Sequence, residues 1–366
     1  MEPMRKLVID MLLFEKGKAY GFQEYIFNLL NYLYEHRSNV LFDQIILVCL
    51  KSQREHLLRY ADKFVILDYP CESLLKRFSI QTIFPFLIKM NRNDLLISPG
   101  NYSGLIKRSK QLLVIHDLLF KRKDLLPKPL MRLQRNVYLP ISVHAADAIV
   151  CISEFTRQDL ISFYPEAASK ANTIYNYFNF EKFSHPTPQK YKNYFLSVCS
   201  EEAHKNTCTV LHAYDDYKKR GGSKKLVMVG RIIEYSDVAE VLNSFTPSVR
   251  EQIITCSHIS NQELASLYQY ADAYISASLF EGLGMPIVEA MSFNLPVILS
   301  DIPVMHEISQ EKGLYFNPTS VTELTNLMFD IDSISTDYAN DIKTYYSEEN
   351  TSRKYLDTIN ALYNRD

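Results

Sequence analysis

The stretch SLFEGLGMPIVEAMSFNLPVILSD, residues 278–301, decides how this chain is read. With AYIS (273–276) before it and PVILS (296–300) at its end, it spells strand, loop, helix, strand. The chain has only 10 glycines, and two of them, Gly282 and Gly284, sit in the turn that feeds the helix. Pro286 suits the first helical position, where a missing N–H costs nothing, so the helix is expected from about Pro286 to Ser292. Such a turn presents backbone N–H groups at the positive end of a helix dipole, a setting that receives phosphate. Glu281 and Glu289 would repel phosphate and need hydroxyl partners instead. A ligand with phosphates flanked by two polyols, a nucleotide sugar, satisfies both: ribose at Glu289 and the sugar at Glu281. The same spacing also suits a plain tight βα connection with both carboxylates solvated.

Outward from this stretch, short apolar runs alternate with stretches of helical period, the pattern of parallel α/β sheets. In the first half the strand candidates are 6–10, 44–49, 64–68, 94–98, 111–116 and 148–152, with a strong helix candidate in YGFQEYIFNLLNYLYEH between the first two. The second half starts afresh with 194–199, 225–230, 252–256, 273–276, 296–300 and 313–316. Two doubly wound, Rossmann-like domains follow. Their boundary is expected in FNFEKFSHPTPQKYKN (178–193), where His185-Pro186-Thr187-Pro188 breaks periodicity. We place the first domain at 1–182 and the second at 183–344, with a last helix in 345–366 returning to the first.

At 366 residues the chain exceeds one comfortable core, and its apolar fraction of 47% fills two. A formal net charge of -2 argues against a dedicated nucleic-acid binder. The six cysteines show neither metal-type nor disulfide-framework spacing and read as free thiols in a reducing compartment. The apolar run near the N-terminus, ending at Glu15, is short for a signal peptide and far short of a bilayer span, so a soluble cytoplasmic protein is expected.

FEGLGMPIVEAM resembles the Glu-x7-Glu motif of the GT-B glycosyltransferases, specifically the retaining family 4. ISNQELASLYQYADAYISASLFEG, NLPVILSDIPVMHEI and GLYFNP resemble the segments around that motif. VIHDLLF, ADAIVCISEFTRQDLISFYP, IYNYFNFEKF and YGFQEYIFNLLNYL resemble N-terminal segments in the family's order. The resemblance implies two domains facing a cleft, with the donor on the second and the acceptor on the first. It implies that Glu281 contacts the donor sugar, Glu289 the ribose, and the loop Gly282, Leu283, Gly284 and Met285 the donor. It places His116 at a sugar hydroxyl near the reacting centre, with Asp117 orienting its loop, and Gly21 in the first loop at the phosphates. Tyr20 stands where the family's first glycine is usual. The family's Arg and Lys, five apart after the first strand of the second domain, become Ser200 and Lys205 in VCSEEAHKN. Lys205 is therefore the expected cation at the leaving diphosphate, with Ser200 as a hydroxyl donor. Arg231 is a second candidate cation, equally readable as structural. No cofactor or metal is implied, and the Asp-x-Asp at 330–332 reads as helix surface or loop.

From Leu105 to Asn136 the chain holds nine basic residues against Asp117 and Asp124, interleaved with leucines. The sequence reads either as a solvated face or as a peripheral contact with anionic lipid, which would bring the protein to a lipid-linked acceptor on the inner face of the membrane. The resemblance implies transfer with retention to a glycan or lipid-linked saccharide in surface polysaccharide (O-antigen, capsule, lipopolysaccharide) biosynthesis. GDP-mannose is the first donor expected and UDP-hexoses the next. The departures at Ser200 and Tyr20 keep open a non-catalytic nucleotide-sugar binder. An NAD-dependent oxidoreductase with two Rossmann-like domains is disfavoured, since no Gly-x-Gly-x-x-Gly follows KLVID or YFLSVC.

Overall fold

The computed structural model describes residues 4–14, 21–70, 74–103, 106–126, 129–234, 236–257 and 259–365. Thirteen strands are described: β1 Lys6–Asp10, β2 Gln44–Leu50, β3 Val65–Tyr69, β4 Leu95–Ser98, β5 Lys110–Ile115, β6 Ala148–Cys151, β7 Ala171–Thr173, β8 Tyr194–Val198, β9 Lys225–Val229, β10 Ile253–Cys256, β11 Ala273–Ser276, β12 Val297–Ser300 and β13 Leu314–Phe316. All twelve strands read from the sequence are present. The one not read, β7, is a three-residue edge strand, Ala-Asn-Thr, with only Ala171 buried, so it carries no apolar run to detect.

The chain divides into two compact units, residues 1–122, 127–177 and 346–366 in one and 123–126 with 178–345 in the other. In the first, a seven-stranded sheet has the order β3-β2-β1-β4-β5-β6-β7, all parallel, with Val8 opposite Ile46 on one side and Leu96 on the other. In the second, a six-stranded parallel sheet runs β10-β9-β8-β11-β12-β13, with Leu196 flanked by Val227 and Tyr274. The central strands of both sheets are buried at consecutive positions, as parallel strands packed on both faces are. The core of the first unit includes Val8, Leu12, Ile46, Val48 and Leu96; that of the second includes Phe195, Leu211, Tyr214, Leu226, Ile275 and Ile298.

The last helix, Glu348–Tyr363, belongs to the first unit. Arg5 stacks on the Tyr363 ring at 4.4 Å and donates to its carbonyl, and the Tyr25 and Tyr355 hydroxyls bond to each other. Among the described cysteines, Cys49, Cys151 and Cys199 are buried free thiols, and Cys208 and Cys256 are half-buried; Cys71 lies outside the described residues. Burial pushes the Cys49 and Cys199 thiols up to about 12, so neither is a thiolate nucleophile at neutral pH.

Candidate functional site

In the second unit the neighbours β8 and β11 stand where the strand order reverses: β9 and β10 lie beyond one, β12 and β13 beyond the other. Loops leaving the C-terminal ends of two such strands diverge, and ligands of open α/β sheets collect there. The loop after β8 carries Ser200 to Lys205, and the loop after β11 carries Ser278 to Gly284.

These loops are tied together. Asn206 takes the left-handed conformation (φ 51°), which asparagine tolerates, and its amide donates to the Ala277 and Pro318 carbonyls at 3.0 and 2.9 Å. Leu279 N–H donates to the His204 carbonyl at 2.7 Å. Ser200 Oγ receives Glu202 N–H at 3.3 Å, while Thr207 Oγ1 donates to the Ser200 carbonyl at 2.9 Å. On this frame Lys205 Nζ meets Glu281 Oε1 at 2.6 Å, and Ser278 Oγ donates to the same oxygen at 2.8 Å. Burial pushes the Glu281 carboxyl up, but the Lys205 charge and the bonds from Lys205 and Ser278 outweigh it and hold the group below its ordinary value.

Gly284 caps the following helix with φ +94°, and a Cβ there would stand 3.0 Å from Ile287 Cδ1. The helix runs Met285–Met291, beginning one residue earlier than the sequence suggests. Pro286 therefore sits at the second helical position, where its missing N–H is equally harmless. The Leu283 side chain is buried, so only its backbone is available to a ligand.

Glu289 lies inside this helix and is buried, with both oxygens engaged: Lys182 Nζ at 2.9 Å on Oε1 and Tyr268 OH at 2.9 Å on Oε2. Neither Glu281 nor Glu289 is a solvated carboxylate; each is held by a lysine. Sequence reasoning missed Lys182, Tyr268 and Ser278. Lys182 sits in IYNYFNFEKF, 107 positions from its partner, and nothing local links the two. Ser278, three residues before Glu281, was open to view in the motif itself.

Gly230, at the end of β9, has φ +149°, and a Cβ there would lie 2.1 Å from the Cys199 carbonyl oxygen. Only glycine permits this approach to the loop after β8. Beside it, Gly230, exposed Arg231, Ile232, Thr255 and Ser257 line a cavity of about 290 Å³ at the ends of β9 and β10. The Asp-x-Asp residues end a helix, and Asp332 pairs with Lys224 at 2.7 Å.

In the first unit His116 follows β5 and is buried. Its backbone N–H donates to Asn101 Oδ1 at 2.6 Å, its Nε2 lies 2.7 Å from the Pro99 carbonyl, and the Tyr25 ring meets it edge-on at 4.9 Å. Burial pulls the imidazole down to about 4 against the Pro99 carbonyl's opposing effect, so the ring is neutral and Nε2–H donates to Pro99. Asp117 Oδ1 accepts Leu119 N–H at 2.9 Å, fixing the loop. Gly21 opens the helix Gly21–Glu35; Tyr20 and residues 15–19 lie outside the described residues.

Several charges of the 105–136 run have internal partners: Lys107 with Asp147 (2.8 Å), Lys121 with Asn136 (2.7 Å), Arg122 with Asp159 (2.6 Å) and Arg132 with the Phe120 carbonyl (3.1 Å). Leu105 and Lys128 lie outside the described residues. Among the described residues no helix is long and apolar enough to cross a membrane.

Residues 179–346 match the family described as glycosyl transferases group 1. The chain is 30% identical over 237 residues to the O-antigen chain mannosyltransferase RfbU of Salmonella typhimurium, covering 63% of each chain. It is 28% identical over 233 residues to the serotype-specific mannosyltransferase WbdA of Escherichia coli, covering 58% of this chain and 28% of that one. The match thus spans less than two thirds of either relative. A glycosyltransferase structure from Rickettsia africae superposes with a TM-score of 0.70 at 16% identity, covering 99% of each chain.

Proposed function

From a chain with the GT-B fold whose residues 179–346 belong to the glycosyl transferases group 1, we propose a retaining hexosyltransferase of the family 4 type acting in surface polysaccharide synthesis. The donor is a nucleotide sugar, GDP-mannose first, a choice supported by the similarity to an O-antigen chain mannosyltransferase and a serotype-specific mannosyltransferase, and UDP-hexoses next. The acceptor is a glycan or lipid-linked saccharide. The protein works in the cytoplasm, with a peripheral contact at the inner face of the membrane.

The observation that carries this reading is the Lys205–Glu281 contact at the strand-order reversal of the second sheet. A cation suited to a leaving diphosphate and a carboxylate suited to a sugar hydroxyl stand side by side on the loops after β8 and β11. In the proposed reaction the acceptor hydroxyl oxygen bonds to the anomeric carbon as the bond to the phosphate oxygen breaks. The proton passes to that phosphate oxygen on the same face, which retains configuration. Lys205, Ser200 and the N–H groups of Gly282 to Met285 stabilise the charge that develops on the diphosphate, a role most valuable where water is excluded. The helix that follows is only seven residues long, so Lys205 carries most of this task. Glu289, pinned by Lys182 and Tyr268, offers a preset carboxylate to the ribose. His116, neutral and fixed by Pro99, serves as a hydrogen-bonding group at the sugar. We assign neither a metal nor a cofactor to the step.

The test is nucleotide release from a panel of GDP- and UDP-sugars with a mixed pool of glycan and lipid-linked acceptors, followed by NMR of the product's anomeric configuration. GDP-mannose with a retained α-linkage is the expected outcome. Binding of nucleotide sugars without turnover on any acceptor would leave the chain a binder, and an inverted product would refute the front-face mechanism.

A further inference from the structure

The helix Gly21–Glu35 ends on a glutamate, and His36 follows it directly. The last helix opens on Glu348, just after the chain re-enters the first unit at Tyr346. One oxygen from each of the two carboxylates and one ring nitrogen of His36 all lie within 4.8 Å of one another, so residues from opposite ends of the chain converge inside this unit. Two of the three are held from behind. His36 N–H and Nδ1 both reach the Tyr32 carbonyl, at 2.9 and 3.1 Å, and the imidazole stacks on the Tyr32 ring with centroids 4.2 Å apart. With Nδ1–H donating, the neutral ring keeps its lone pair on Nε2, the same backbone-carbonyl support that orients a metal-bound histidine. The Tyr177 hydroxyl donates to the Glu348 carboxylate.

The negative charge gathered here lacks a fixed cation. Burial, and after it the neighbouring Glu35, push the Glu348 carboxyl up, and among the described residues protonated His36 is the one basic group that opposes them. The last turn of the first helix holds no basic residue, and Glu35 stands at the negative end of that helix's dipole. Arg37, the next residue along, turns away and donates to the Val40, Phe42 and Asp43 carbonyls. A doubly charged cation beside two carboxylates and a neutral imidazole makes the cluster electrically neutral. At about 2.1 Å from each donor it would draw the donor atoms to roughly 3.4 Å apart. Exposed Glu35 has the rotamer freedom to close that gap, while Glu348 and His36 are half-buried and already set.

We propose that Glu35, His36 and Glu348 form a binding site for a divalent transition-metal ion of the zinc type, which clamps the end of the first helix to the start of the last. One imidazole and two carboxylates supply three ligands, and water completes the tetrahedron. Magnesium and calcium favour oxygen donors throughout, so the imidazole selects against them. The same two helices meet again where the Tyr25 and Tyr355 hydroxyls bond, and the Tyr25 ring packs edge-on against His116. The ion therefore steadies the helix that buttresses this histidine. Tyr25 and Glu35 are about 15 Å apart along the helix axis, so the role is structural and the ion takes no part in the transfer step. The site goes beyond the proposed function and does not rest on it.

The experiment is calorimetric titration of the full chain, stripped with EDTA and dialysed, with zinc chloride, and in parallel with magnesium and calcium chloride. One zinc per chain is expected, bound at least a hundredfold more tightly than magnesium. His36→Ala and Glu348→Gln should each weaken zinc binding at least tenfold, and Glu35→Gln several-fold, with far-UV circular dichroism reporting that each variant is folded. Zinc at a hundredfold over its Kd should raise the thermal transition of the wild type by about 5–10 °C and leave that of His36→Ala in place. His306→Ala, which removes a different histidine set between two carboxylates, should bind zinc as the wild type does. A wild type that takes up no zinc at submillimolar concentration overturns the proposal, as does equal zinc affinity in the wild type, His36→Ala and Glu35→Gln. Loss of zinc in His306→Ala alone overturns it too, by moving the ion to the second unit, and so does equal affinity for magnesium. Should His36→Ala or Glu348→Gln fail to fold, exposed Glu35→Gln decides by itself. Zinc binding by a protein that turns over no donor would leave the site standing and refute the transferase reading.

Discussion

Removing the Lys205 charge should expose how much the site depends on it. In Lys205→Ala the Glu281 carboxylate stays largely buried and loses a partner at 2.6 Å. At an effective dielectric of about 20 that contact has a gross Coulomb energy of about 6 kcal/mol. Desolvation of both groups offsets much of it. Breaking a buried pair from one side costs roughly 3–5 kcal/mol, and the lysine side chain here is 27% exposed, so we expect the low end, about 3 kcal/mol. Lys205→Ala/Glu281→Gln removes the stranded charge, and its cost should fall below about 1.5 kcal/mol, a coupling within the range for contacting residues. The sign with pH follows from the carboxyl. In the wild type its folded value is lowered from 4.5, so its contribution is present above that pH and is lost as pH falls through the folded value. Without Lys205 burial dominates and raises the folded value, so the variant's deficit should grow as pH rises from 5 to 8. Urea unfolding followed by far-UV circular dichroism, at pH 5 and pH 8 for wild type, both single variants and the double, measures all of this. Additive losses together with a deficit independent of pH would refute the claim that this pair is a buried, coupled ion pair.

Glu289→Ala should weaken free-nucleotide binding at least tenfold by calorimetry with no acceptor present, because a charged hydrogen bond is worth about 1.5–3 kcal/mol. Glu281→Ala should leave nucleotide binding near normal while turnover falls; equal damage from both would end the division of labour between ribose and sugar. Tyr268→Phe, which frees one oxygen of Glu289, should raise the donor KM several-fold with kcat little changed, and a fall in kcat alone would contradict a positioning role. His116→Ala should keep nucleotide affinity within about threefold while lowering turnover on the order of a hundredfold. Because burial holds its imidazole near 4, the wild-type pH profile should show no histidine ionisation from His116 between pH 6 and 7.

What the sequence determined by itself was whatever is written in local period and punctuation. Parallel strands buried on both faces read as continuous apolar runs, so KLVID, YFLSV and AYIS were legible one by one, and their alternation with helices dictated two doubly wound sheets. The polar edge strand Ala171–Thr173 had no such run and was silent. Gly284 and Pro286 marked the turn and the helix start to within one residue. Candidate residues were legible too, as residue types in a motif, but their partners were not. Lys205 meets Glu281 across 76 positions and Lys182 meets Glu289 across 107, because strand order brings the loops after β8 and β11 together while the turn after Tyr177 supplies Lys182. The run from Leu105 to Asn136 shows the same limit. Its charge was countable, yet only packing decided that Lys121, Arg122 and Arg132 turn to internal partners while Leu133 and Val137 are left to solvent. Composition fixes how many charges and methyl groups a segment holds; which of them face inward depends on contacts between residues far apart in the chain, and those exist only once it has folded.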